Sequence, residues 1–149
     1  MRTVVEGLVG MFLLVLGGGI YLLFRPQNIL MFKLVEALGL SPDVNRWREM
    51  AGNVSLPDFV VYCLPNGLWA AAYIMVIDGW LYRQTKRCRL LAAAVIPLVG
   101  TTTEVMQTAG WIPGTFDFGD IACMLVPLFA YAVFLESYRV VTNISDDAT

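Results

Sequence analysis

GLVGMFLLVLGGGIYLLF, residues 7–24, holds no charged side chain and closes at Arg25-Pro26. An α-helix rises about 1.5 Å per residue, so about 20 apolar residues match a hydrocarbon core about 30 Å thick. With Val4 and Val5 upstream, the stretch predicts a membrane-spanning helix over about residues 4–24. A secretory leader would have an apolar core of about 7–15 residues followed by a small-residue cleavage site. This run is longer and no A-x-A-like site closes it, so it reads as a retained span. Its Gly17-Gly18-Gly19 run weakens helix propensity but lets a second helix come close.

Three further stretches read the same way. LPNGLWAAAYIMVIDGWLY predicts a span over 64–82, and AAAVIPLVGTTTEVMQ lies in one over about 90–109. IACMLVPLFAYAVFLES predicts the fourth, over about 120–137, and Pro97 and Pro127 fall inside the last two. The whole 149-residue chain agrees. It is 58 % hydrophobic and 15 % charged, with a mean hydropathy of +0.66, against about 45–50 % and about 25 % for soluble domains. The expected fold is a single all-α membrane domain of four transmembrane helices.

Composition also excludes function classes. A net charge of −2 with scattered basic residues gives no electrostatic footprint for nucleic acid. The chain has no His, which removes the commonest general base and metal ligand. Cys63, Cys88 and Cys123 show no CxxC spacing and read as free, packed thiols. Neither a metal nor a cofactor is expected.

Residues 27–55 differ from the spans. ILMFKLVEALGL, residues 29–40, carries Lys33 and Glu36 and reads as a short amphipathic helix. Ser41-Pro42 opens a second, bearing Asp43, Arg46, Trp47, Arg48 and Glu49 and stopping near Gly52. Both are too polar to span and are expected at the membrane surface, with Trp47 at headgroup depth. LPDFVVYCLPNGLW then re-enters the membrane, and Pro65-Asn66-Gly67 is expected to break the helix.

The short loop RQTKRCR, residues 83–89, concentrates Arg83, Lys86, Arg87 and Arg89. The excess of basic residues in cytoplasmic loops places it inside, with both termini, as Arg2 and Arg139 also suggest. Segments 25–63 and 108–119 then face outward. The tail VTNISDDAT is expected to fray, and Asp78 to meet Arg83 or headgroup water.

The window TTTEVMQTAGWIPGTFDFGD, residues 101–120, is polar where its surroundings are apolar. Glu104 and Gln107 share one helical face, and Asp117 and Asp120 flank the start of the fourth span. Glu104 falls roughly 21 Å from the cytoplasmic end of its span, in the outer leaflet. A carboxylate there is costly unless it faces a partner or a wet cavity. Structural roles compete: an interhelical bond for Glu104 or Gln107, a turn for Asp117, and the N-cap of the fourth span for Asp120.

Glu-x-x-Gln closing one span, a short turn, and Asp-x-x-Asp opening the next resemble the VanZ-like family of small bacterial membrane proteins. The resemblance covers roughly residues 90–137. Where the family pattern has an Arg in the turn, this chain has Gly114-Thr115, and Met124 and Pro127 stand where an Asn and a Gly are usual. The resemblance implies residence in the bacterial inner membrane and a role in the cell envelope.

Three functions fit these residues. The first is binding of a polar, lipid-linked envelope molecule such as a glycan at an outward acidic site of Glu104, Gln107, Asp117 and Asp120. Trp69 and Trp111 would stack on sugar faces there, or simply anchor at the interface. The second is a carboxylate-dependent hydrolase or transferase acting on a lipid-linked glycan, for which no nucleophile–base pair is visible. The third is a structural subunit of a larger membrane assembly. Besides membrane lipids, a membrane protein partner is expected only in the third.

Overall fold

A computed structural model describes residues 2–27, 30–112 and 114–146, with side chains for these apart from residues 2, 30 and 138–146. Arg2 and Arg139, which bear on the topology, therefore fall outside the described side chains. So do residues 28 and 29 of the expected amphipathic segment and 147–149 of the tail.

The described residues form six α-helices: α1 (Arg2–Phe24), α2 (Leu30–Ala37), α3 (Ser41–Ala51), α4 (Leu64–Trp80), α5 (Lys86–Thr108) and α6 (Phe118–Asp146). A π-helical turn, Phe59–Cys63, runs directly into α4. Four helical segments are long and apolar enough to cross a membrane: Thr3–Phe24, Phe59–Trp80, Lys86–Thr108 and Phe118–Ser137. The chain is an all-helical, multi-pass membrane protein, with α2 and α3 as two short helices between the first and second spans.

Helix α4 is the hub, packing on α1, α5 and α6. Small residues permit the close approaches. A Cβ on Gly17 would lie 2.8 Å from the Trp69 indole nitrogen, whereas Gly18 and Gly19 face open space. Only one of the three consecutive glycines is thus a packing residue. Gly67 brings α4 against α6 so closely that a Cβ would lie 2.9 Å from the Cys123 carbonyl oxygen.

One cluster of buried side chains joins Ile74, Ala93, Tyr131 and Leu135, flanked by Tyr73, Leu90 and Leu128. Many large apolar side chains point outward instead, including Leu8 (66 % exposed), Phe12 (64 %) and Phe129 (73 %). Contiguous exposed apolar surface on this scale marks contact with lipid or protein rather than water.

Several sequence expectations need correction. The second span is not broken at Pro65-Asn66-Gly67; it runs unbroken from Phe59 to Trp80. Pro65 lacks an N–H and its ring crowds the carbonyl four residues back, Val61. The wide turn ahead of it, closed by the Leu64 N–H on the Phe59 carbonyl, absorbs that clash. The basic loop is also shorter than 83–89, because Lys86 to Arg89 form the first turn of α5 behind an N-cap at Thr85. The Thr85 hydroxyl accepts from the Cys88 N–H at 3.4 Å. Helix α6 continues through Asp146 rather than fraying at Val141. No Gly or Pro follows Pro127, and extending a helix costs far less than nucleating one.

Asp78 does not meet Arg83, whose Nε donates to the Tyr82 hydroxyl at 2.6 Å. Asp78 is 4 % exposed, and its Oδ1 accepts from Arg89 Nε at 2.7 Å, from Arg89 Nη2 and from the Tyr131 hydroxyl. Because α5 starts early, Arg89 lies on a helix facing α4 and can reach it. Lys86 Nζ donates to the Leu135 carbonyl at 2.6 Å, which ties α5 to α6 at the same end.

Candidate functional site

At the opposite end of the bundle the polar window closes around a cavity of about 520 Å³. Glu104 stands in the last turns of α5 and is buried, 7 % exposed. Its Oε2 accepts the Asp117 N–H at 3.2 Å, which pins the connecting turn to the helix. Asp117 immediately precedes α6, and its Oδ1 accepts the Gly119 N–H at 2.7 Å. Asp117, not Asp120, therefore caps α6, correcting the sequence assignment. The helix starts at Phe118, so Asp120 lies inside its first turn, where a carboxylate favours the positive end of the helix.

That placement frees Asp120 to line the cavity. Its Oδ1 is shielded from solvent and has no hydrogen-bond partner among the described residues. Gln107 lines the cavity too and fills the space beside Gly114, where a Cβ would lie 2.5 Å from its amide carbon. Gly114 has φ +148°, backbone that L side chains rarely adopt. Of the residues singled out from sequence, Glu104, Gln107, Asp117, Asp120 and Trp69 share this cavity. Trp111 does not line it and stands 76 % exposed.

The sequence reading missed the cavity's cation. Arg25, just beyond α1, lies over the Tyr21 ring at 4.7 Å and over the Tyr62 ring at 5.3 Å. Its Nε donates to the Val61 carbonyl at 3.3 Å and its Nη2 to the Tyr62 carbonyl. Val61 is the carbonyl that Pro65 cannot serve, so the proline leaves an acceptor and the arginine takes it. From there the guanidinium acts electrostatically on both Glu104 and Asp120. Tyr21, Tyr62 and Asn66 complete this side. The available signal was topological: four spans put the end of the first helix at the same face as the polar window.

The comparisons with known proteins give no family: no family model, curated protein or solved structure matches the chain.

Chemically, the cavity sets Glu104, Asp117 and Asp120 against Arg25, three acids to one base. It offers acceptors for ammonium or hydroxyl groups, with the amides of Gln107 and Asn66 beside them. Its size falls in the range of about 300–1,000 Å³ usual for small-molecule sites. Among the described residues no three His, Cys, Asp or Glu side chains gather as metal ligands. The Cys63 thiol, which donates weakly to Asp117 Oδ2 across 3.8 Å, is buried.

Two short contacts hold α3 beside this end. Arg48 Nη1 donates to the Leu22 carbonyl at 2.5 Å, satisfying one of the unpaired carbonyls in the last turn of α1. Gln27 Nε2 donates to Asn45 Oδ1 at 2.8 Å.

Proposed function

We propose that this protein binds the polar head of a lipid-linked envelope ligand in its acidic cavity. The observation carrying this reading is that cavity residues come from all four spans or their immediate ends: Arg25, Asn66, Glu104 and Asp120. A buried carboxylate in a membrane-spanning helix is expensive, and a bundle built only for packing gains nothing by lining a cavity with three. Removing water from such groups without pairing them is costly; a ligand with several donors offsets that cost when it enters.

The cluster of Arg83, Lys86, Arg87 and Arg89 supports an orientation with the Asp78 end in the cytoplasm, the cavity facing outward and both termini inward. Helices α2 and α3 then form an amphipathic lid at the outer surface, with Val35 and Val44 buried and Trp47 56 % exposed. The Glu-x-x-Gln and Asp-x-x-Asp pattern supports kinship with the VanZ-like family and residence in a bacterial inner membrane. The ligand is accordingly an envelope lipid or lipid-linked glycan whose head carries amines or hydroxyls.

The test is the lipid that co-purifies with the protein. Wild type in mild detergent should retain a polar lipid, identified by native mass spectrometry. Glu104→Gln with Asp120→Asn should reduce its occupancy at least about tenfold while thermal stability holds or rises, because buried charge has been removed. Undiminished occupancy in that variant would refute the reading and leave an assembly subunit as the better account.

A further inference from the structure

A second cavity, of about 680 Å³, adjoins the first. It is a groove between α2, which contributes Met31, Leu34 and Ala37, and the Tyr21 and Trp69 side chains. Lys33 is the charged residue that lines it. Tyr21 and Trp69 line both cavities, so the polar and apolar spaces share a wall. The two rings pack with centroids 5.2 Å apart, tilted by 38°, and the Arg25 guanidinium lies over Tyr21. An aromatic pair with a charged group on one side and an aliphatic groove on the other is suited to the junction between the head and tail of an amphiphile.

We propose that this groove holds an acyl chain of an amine-headed, zwitterionic membrane lipid whose head group occupies the acidic cavity. The inference rests on the reading of that cavity as a ligand site and names the ligand's chemical class. Charge and hydrogen bonding select the head. Three carboxylates against one guanidinium favour an ammonium and repel a head of net negative charge. Carboxylate acceptors further favour a primary ammonium, with three N–H donors, over a quaternary one that has none. The phosphate that links amine to chain in such a lipid needs a cation near the junction, and Arg25 and Lys33 line the two cavities on either side of it. The groove adds position rather than driving force, because a chain gains little by moving from surrounding lipid to an apolar protein wall. It fixes where the tail leaves the head, and so excludes ligands whose tail departs elsewhere.

The experiment is photo-crosslinking in phosphatidylcholine nanodiscs. Each sample carries a trace of phosphatidylethanolamine, phosphatidylcholine or phosphatidylglycerol with a diazirine in one acyl chain. The ethanolamine probe should label α2 and the Trp69 region about tenfold more than the other two. Glu104→Gln with Asp120→Asn should remove that preference. Leu34→Trp, at a position 59 % exposed and so tolerant of a larger side chain, should fill the groove and cut labelling there about tenfold. Ala37→Phe serves as a second, independent block. Equal groove labelling by all three probes would overturn the proposal, reducing the groove to ordinary lipid contact. Ethanolamine-selective labelling that maps elsewhere and ignores both groove variants would overturn the chain's placement while leaving the cavity reading intact. Groove labelling indifferent to Glu104 and Asp120 would overturn the cavity reading and this inference together.

Discussion

Replacing Arg89 with Met should be among the most destabilising single changes in this protein. Arg89 gives Asp78 Oδ1 two guanidinium bonds, and the paired side chains are 12 % and 6 % exposed. So little exposure leaves solvent little scope to screen the pair, unlike surface ion pairs, which contribute about 0–1 kcal/mol. Removing one partner of a buried pair costs about 3–5 kcal/mol, mostly because the other charge stays buried. The Tyr131 hydroxyl still donates to Asp78, which places Arg89→Met toward the lower end, about 3 kcal/mol. Asp78→Asn should cost less, since the long Arg89 side chain can carry its charge toward headgroup water whereas a carboxylate on a short stem cannot. The double variant removes both charges and should lie within about 1–2 kcal/mol of wild type, well short of the sum of the single losses. The assay is SDS-induced unfolding in mixed micelles followed by far-ultraviolet circular dichroism, run as a double-mutant cycle. An Arg89→Met variant within about 0.5 kcal/mol of wild type, or strictly additive effects, would refute the claim that this pair is a buried, coupled unit.

Gly67→Ala should lower stability by about 1–3 kcal/mol, because its Cβ meets the Cys123 carbonyl oxygen, which belongs to helix backbone and cannot rotate away; thermal melts of purified protein check this, and Gly18→Ala, in open space within α1, is the control that should hold or raise stability. Arg25→Met should cost about 1.5–3 kcal/mol through its lost bonds to the Val61 and Tyr62 carbonyls, and wild-type melting would mean that α1 is not tied to the π turn in this way. Cys88, the exposed member of the three free thiols, should resist a membrane-impermeant maleimide in intact cells, while Glu49→Cys in a Cys88→Ser background should react; the opposite pattern would invert the topology.

The spans were legible because length and apolarity are local properties that lipid imposes on a helix one segment at a time. Glu104 and Asp120 stood out for the complementary reason, the cost of charge in such surroundings. Pairings between segments were not legible. Arg25 reads as the stop of one helix, and only folding shows that its acceptors are carbonyls near Pro65, some forty residues on. The partner of Asp78 was misassigned because a helix boundary moved: with Lys86 to Arg89 drawn as loop, Arg83 seemed the nearer cation. Asp117 took the capping role expected of Asp120 on the same ground, a helix start three residues ahead of the one that a cap at Asp120 implies. The π turn had a sequence cue in Pro65, but proline alone does not say whether a helix will break or widen.

That widened turn has a consequence for how the chain tolerates length change. A single π turn is what an α-helix becomes when one residue is added to it and the turns beyond keep their packing. Removing one residue from Phe59–Cys63 should therefore restore plain α-helix and leave the register of Gly67, Ala70 and Ile74 against their neighbours unchanged. The turns before the deletion would keep their places as well, because the widened turn is what absorbs the extra residue. The Val61 and Tyr62 carbonyls lie within that turn, so closing it would re-aim them and Arg25 would lose its seat. One residue of chain length thus fixes where the cavity's cation sits, independently of the packing that holds the bundle together.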